Sequence, residues 1–410
     1  MTEATSATPA PDALAGVLAD APFVRLVATD DGDALAAAGL LARALRAAGT
    51  PFQARIGRDP VPGDVDDGVA VAVGVDRGPH AVHADGRPTS AAAFAVASAL
   101  GAEPDPVVAL AGVVAAGSIP GADGSGDALD AAERAGRVER RPGVALPVSG
   151  GSEAAPSRFE ALAASTLAST RYSGDPEAAR DALAPLELPA EPTADDRRRL
   201  ASLVAVDAVD GDGVSARAAS SVERALRPYA TDGPFETVGG YADVLDALAR
   251  EAPGTGVALA LAGDPDESLL TAALDAWRRH GLAAHRAVDA ATIGRYDGCV
   301  VARVDAAAAD GSPAILPTVA RLVRDFRSPE PVAVALDESA GRLAAAAADP
   351  IGLGDACRTA AGEVGGTGWG TAARGGVSVG DADETGANQT GATDAGGDVT
   401  AALAALREAI

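Results

Sequence analysis

The chain has 410 residues, with 33 basic side chains against 58 acidic ones, a net charge of −25, and every basic residue is an arginine. Apolar residues make up 48% of it but aromatics only 3%, so a core can form and a disordered acidic chain is excluded. No run of about 18 apolar residues marks a membrane span, and two cysteines, Cys299 and Cys357, are too few for a disulfide framework or a thiolate metal site. The opening residues are small, polar and acidic, without a basic, apolar leader, so a cytoplasmic protein is expected. Excess carboxylate without a single lysine points to an extreme halophile with a GC-rich genome. There, hydrated acids keep the chain apart from its neighbours and concentrated salt screens their repulsion.

In chain order, residues 1–20 are rich in Ala, Thr and Pro and predict a mobile tail. A β-branched apolar run at 22–27 predicts a buried strand. The turn Thr29-Asp30-Asp31-Gly32-Asp33 leads from it into a helix over 34–48, stopped by Gly49 and Pro51. Residues 69–75 predict a second buried strand ending at Asp76. Helices follow from Thr89-Ser90 to Leu100 and over 106–116. Strand alternating with helix implies a parallel sheet covered by helices. From about 158 to 229 the pattern is helical, which predicts a connector. Beyond Gly239-Gly240 alternation returns. Helices are expected at 241–250, 267–280, 317–326 and near 355–361, and strands at 257–261, 283–288, 299–304 and 332–336. Residues 365–376 predict a glycine-rich loop, 381–397 a disordered linker, and 398–410 a terminal helix.

Three features could carry chemistry. Beyond the carboxyl ends of parallel strands ligands find a crevice, and there Asp31, Asp33 and Asp76 could offer oxygen ligands to Mg²⁺ or Mn²⁺. The same Asp-rich turn would equally serve as a helix cap. His80 and His83 follow Asp76, but Pro79 and Gly86 favour a loop over a ligating helix. In the glycine-rich segment, Gly365, Gly366, Gly368 and Gly370 with Thr371 could present backbone N–H groups to an anion. Arg374 could pair with a phosphate and Trp369 could stack on a base. A flexible turn is the plainer alternative. The segment is no phosphate loop of the Gly-Lys-Ser/Thr kind, since the chain has no lysine.

Taken in order, these features resemble the DHH phosphoesterase superfamily, and within it the archaeal RecJ-like proteins and their counterpart in the eukaryotic replicative helicase. The strand and turn from Leu26 to Asp33 with its small-residue helix is similar to the superfamily's His-x-Asp-x-Asp-Gly motif. The helix start at Pro88-Thr89-Ser90, the helix at 108–117 and the glycines of 365–376 resemble later motifs, so the likeness covers most of residues 21–380. It implies an α/β fold: an N-terminal parallel-sheet DHH-type domain at 21–150, a helical connector at 151–235, and a smaller C-terminal DHH-associated α/β domain at 236–380. It also implies single-stranded nucleic acid as ligand, Mn²⁺ or Mg²⁺ as cofactor, and the GINS complex and replicative helicase as partners.

The metal ligands of the family are largely replaced. Its motif histidine falls on Val27 and its first aspartate on Thr29, while the Asp-His-His motif reads Asp76-Arg77-Gly78. A cation pair about 3.5–4 Å apart needs several Asp and His ligands. Asp31, Asp33 and Asp76 could hold one ion at most, so a non-catalytic or weakly catalytic RecJ-like subunit of replication or repair is expected, needing no metal. The rival expectation is a metal-dependent single-strand exonuclease or phosphodiesterase with a rearranged Mn site built from Asp30, Asp31, Asp33, Asp76 and His80. A nucleotide-binding regulator is the third.

Overall fold

The structure is a computed structural model describing residues 11–63, 65–83, 86–148, 155–210, 214–380 and 395–410. The elements in chain order are α1 (Pro11–Asp20), β1 (Val24–Ala28), α2 (Gly32–Ala48), β2 (Phe52–Ile56), β3 (Val69–Val73), β4 (Ala81–Val82), α3 (Thr89–Ala99), α4 (Pro106–Ala115), α5 (Gly126–Arg134) and β5 (Val138–Arg140). Then come α6 (Arg158–Ala164), α7 (Pro176–Leu183), α8 (Ala194–Val209), α9 (Ala218–Glu223), β6 (Tyr229–Thr231), α10 (Val238–Glu251), α11 (Pro253–Leu261) and α12 (Glu267–Ala290). The chain ends with β7 (Thr292–Tyr296), β8 (Cys299–Arg303), α13 (Leu316–Leu322), β9 (Val332–Asp337), β10 (Arg342–Ala347), α14 (Leu353–Glu363), β11 (Thr367–Gly370), β12 (Arg374–Ser378) and α15 (Ala395–Ala409).

The described chain forms two compact units. The first holds the residues up to Leu167 with Arg180–Ser202 and Glu223–Arg278, and the second holds Ala168–Ala179, Leu203–Val222 and Arg279–Ile410. Residues 236–278, grouped with the C-terminal domain on sequence, thus pack within the first unit.

In the first unit the sheet order is β2-β1-β3-β4, and all its pairings are parallel. The chain leaves β1 to form β2 on one side and returns to form β3 on the other. This puts a topological switch point at the carboxyl ends of β1 and β3. The tie there is direct, since the Thr29 amide donates to the Val73 carbonyl at 3.0 Å. Helix α2 lies against the sheet with most of its length buried, capped by Asp31 and closed by Gly49 in the left-handed region (φ 77°). Its alanines and Gly39 let other helices approach closely. A Cβ on Gly39 would come within 2.5 Å of Ala260 Cβ on α11. The alanine-rich composition is thus a packing device as well as a bias.

The second unit carries a mixed six-stranded sheet of order β11-β12-β10-β9-β8-β7, with only β8 and β9 parallel. Val301, Val334, Leu336, Leu343 and Val377 form one apolar cluster with Leu353 and Cys357 of α14 and Leu403 and Leu406 of α15. Both cysteines are buried and free. Burial pushes the thiol of Cys299 up to about 11 and that of Cys357 up to about 12, as expected of packing residues rather than nucleophiles.

Several sequence expectations need correction. Residues 11–20 are not tail but α1, with Leu14 and Leu18 buried; residues 1–10 lie outside the described residues. The strand expected at 257–261 is helix α11, because Pro253 sits where a helix starts and a short apolar run has no period of its own. The strand expected at 283–288 is the last part of α12. The segment 365–376 is not a loop but the hairpin of β11 and β12. Of the linker expected at 381–397, residues 381–394 lie outside the described residues and 395–397 open helix α15.

Candidate functional site

The Asp-rich turn sits at the switch point, as the resemblance requires, but its carboxylates face inward. Asp31, 8% exposed, accepts the Ala34 amide on one oxygen (3.0 Å) and the Thr29 hydroxyl on the other (2.7 Å). It is therefore the N-cap of α2. Asp33 is buried, and its two oxygens accept the amides of Thr89 (2.7 Å) and Ser90 (2.8 Å) at the start of α3. That carboxylate closes a helix N-terminus 56 residues away along the chain. Burial, and then the charge of Asp31, pushes its acid up to about 6.

A third carboxylate arrives from α10, which sequence reading did not connect with the site. Asp246 accepts the Gly32 amide at 3.0 Å and pairs with Arg250 one turn on at 2.7 Å. The Arg250 side chain is buried, and its Nε finds no hydrogen-bond partner among the described residues. A guanidinium so placed is held by charge: despite desolvation, Asp246, Asp30 and Asp31 raise its proton affinity. The only sequence sign was the spacing of Asp246 and Arg250, an ordinary i, i+4 helix pair. Asp30 has a looser contact with Arg58, at 3.9 Å.

Asp76 does not join this group. Its side chain is half exposed and lies 3.7 Å from His83 Nε2. His80 and His83 share no helix, since β4 lies between them, and the backbone carbonyl of His80 accepts the Ala72 amide. Val27, at the position of the family's histidine, is buried in β1.

The donor set does not fit a divalent ion. Each oxygen of Asp31, Asp33 and Asp246 already accepts from an N–H, an O–H or a guanidinium, and a permanent cation stands beside them. Among the described residues no group of three or more His, Cys, Asp or Glu side chains is placed to hold a metal.

The glycine-rich hairpin shows the same inward use. A Cβ on Gly368 would meet the Cys357 carbonyl at 2.4 Å, and one on Gly375 would meet the Cys357 sulfur at 2.6 Å. These glycines let α14 lie directly on the hairpin. Trp369 and Arg374 are half-buried.

No helix among the described residues is long and apolar enough to cross a membrane.

Known proteins share this architecture. The protein rrnAC1427 of Haloarcula marismortui is 46% identical over 377 residues, covering 91% of this chain and 93% of that protein. The family described as the C-terminal domain of uncharacterized protein rrnAC1427 matches residues 291–408. Among solved structures, CDC45 from Entamoeba histolytica superposes with a TM-score of 0.56 at 8% identity, covering 98% of each chain. RecJ from Thermus thermophilus, crystallised with Mn²⁺, superposes with a TM-score of 0.50 at 15% identity, covering 99% of this chain and 55% of its own. This chain therefore spans about half the length of that RecJ. At these identities the likeness establishes the fold, which is α/β and RecJ-like.

Proposed function

We propose that this chain, which belongs to the family of the Haloarcula protein rrnAC1427, is a non-catalytic RecJ-like subunit that accompanies single-stranded nucleic acid in replication or repair. The carrying observation is the carboxylate cluster at the switch point. Its oxygens are committed to the chain's own donors, and Arg250 supplies from within the positive charge that a nuclease would draw from metal ions. Hydrolysis of a phosphodiester by that route needs an open coordination position, and a buried guanidinium leaves none. CDC45 shares the fold over its whole length, which supports a role in an assembly. The GINS complex and a replicative helicase are the candidate partners. The half-buried Arg374 and Trp369 of the hairpin remain candidate strand contacts.

Full-length protein in concentrated KCl with Mn²⁺ or Mg²⁺ should leave labelled single-stranded DNA intact over hours. Degradation that disappears in Asp31→Ala would overturn this reading and restore the metal-dependent exonuclease.

A further inference from the structure

Strands β5 and β6 form a two-stranded ladder in which Arg140 faces Tyr229. At its end lies a pocket whose lining includes Arg140, Arg224, Arg227, Ser118, Ile119 and Tyr229, and whose one acid among the described residues is Glu223. Three arginines to one acid reverses the balance of a chain with 33 basic and 58 acidic residues. A second cleft beyond Pro228 adds Arg141, Arg158 and Arg197, and its two acids are already ion-paired, Glu236 with Arg141 and Asp196 with Arg199. Positive charge gathers here in a protein that otherwise presents carboxylate.

The backbone adds an independent sign. Arg227 is exposed and holds φ at 52°, in the left-handed region that favours glycine. Its amide is tied to the Gly143 carbonyl, and its own carbonyl accepts Arg140 Nε at 3.4 Å. An arginine kept where glycine would sit without strain implies work for the side chain. Arg140 lies over the Tyr229 ring, 5.2 Å from its centroid. The ring thus backs the guanidinium on one side, and the Arg140 side chain is exposed where it lines the pocket. Ile119, 42% exposed, supplies an apolar wall.

We infer that Arg140, Arg224 and Arg227 form a phosphate-binding pocket for a single nucleic-acid strand, separate from the glycine hairpin. The inference rests on the nucleic-acid reading above. Guanidinium forks match phosphate oxygens in pairs, and a strand alternates that anion with a flat base suited to stacking on Arg140. An acidic peptide would satisfy the charges but would offer no partner for the stacked face.

The probe is a fluorescein-labelled oligothymidylate strand, followed by anisotropy on the full chain across a KCl series. Wild type should bind, and Arg227→Gly should weaken binding about tenfold, the scale of one lost charge-assisted contact. Its melting temperature should stay level or rise, because glycine relieves the backbone. Arg140→Gln should act likewise, and Arg198→Gln, an exposed residue of α8, should change nothing. Equal binding by wild type and both pocket variants, with folding intact, overturns the pocket but leaves the broader reading standing. A wild type that binds no strand overturns both. Polyglutamate displacing the strand at matched charge would overturn the assignment in favour of an acidic peptide.

Discussion

Two regions of the first compact unit handle charge in opposite ways. At the switch point, Asp30, Asp31 and Asp246 act on one buried arginine, and Asp31, Asp33 and Asp246 spend both oxygens on internal donors. At the end of the β5–β6 ladder, three arginines border an open pocket with a single acid, and one of them keeps a strained backbone. Buried carboxylates whose oxygens are all engaged by internal donors stabilise and position. Three arginines lining a pocket with one acid among them suit an anionic partner from outside. Residue types alone do not separate these cases; the balance of charge around each group does.

Loss of Arg250 should have the largest effect. Arg250→Ala should cost about 3–5 kcal/mol, because it leaves buried carboxylates uncompensated. Denaturant unfolding in concentrated KCl measures it, and a loss below about 1 kcal/mol would mean that the aspartates do not depend on that charge. Next in size is Gly368→Ala in the hairpin, which drives a Cβ into the backbone of α14 and should cost about 1–3 kcal/mol. Lost strand affinity at unchanged stability would instead show that this glycine faces a ligand.

A subtler effect concerns pH. Asp33 has its acid raised from 3.8 to about 6 by burial and by Asp31. A raised acid contributes stability that is present below about pH 4 and is lost as pH climbs to about 6. The stability of wild type relative to Asp33→Asn should therefore fall across that window and level off above it. A relative stability that rises there would contradict the burial of Asp33. The smallest effect is expected at Asp76, half exposed beside His83. Asp76→Ala should stay within about 0.5 kcal/mol and leave strand binding unchanged.

How much was legible in sequence follows the range of the interactions. Helix α2 was readable because its cap at Asp31, its small apolar residues and its stop at Gly49 all agree. Strands β1, β3, β8 and β9 were readable from β-branched runs. Strand β10, Arg342–Ala347, ends in four alanines, which favour helices, and its pairing with β9 and β12 makes it a strand. Short apolar runs without a period of their own, 257–261 and 283–288, made α11 and the end of α12 look like strands. For the site, the turn itself was legible and its direction was not. Asp33 reaches α3 and Gly32 reaches Asp246 across 56 and 214 residues, distances over which no local pattern speaks. Asp246 and Arg250 have the spacing of an ordinary surface i, i+4 pair, and only the fold buries the arginine.

Mn²⁺ titration followed by electron paramagnetic resonance reads directly whether this site is filled from within. Full-length wild type and Asp31→Ala would be compared in concentrated KCl, which suppresses diffuse binding to surface carboxylates. Both proteins should show the same weak, non-stoichiometric uptake. One or two tightly bound Mn²⁺ ions per wild-type chain, lost in Asp31→Ala, would contradict it.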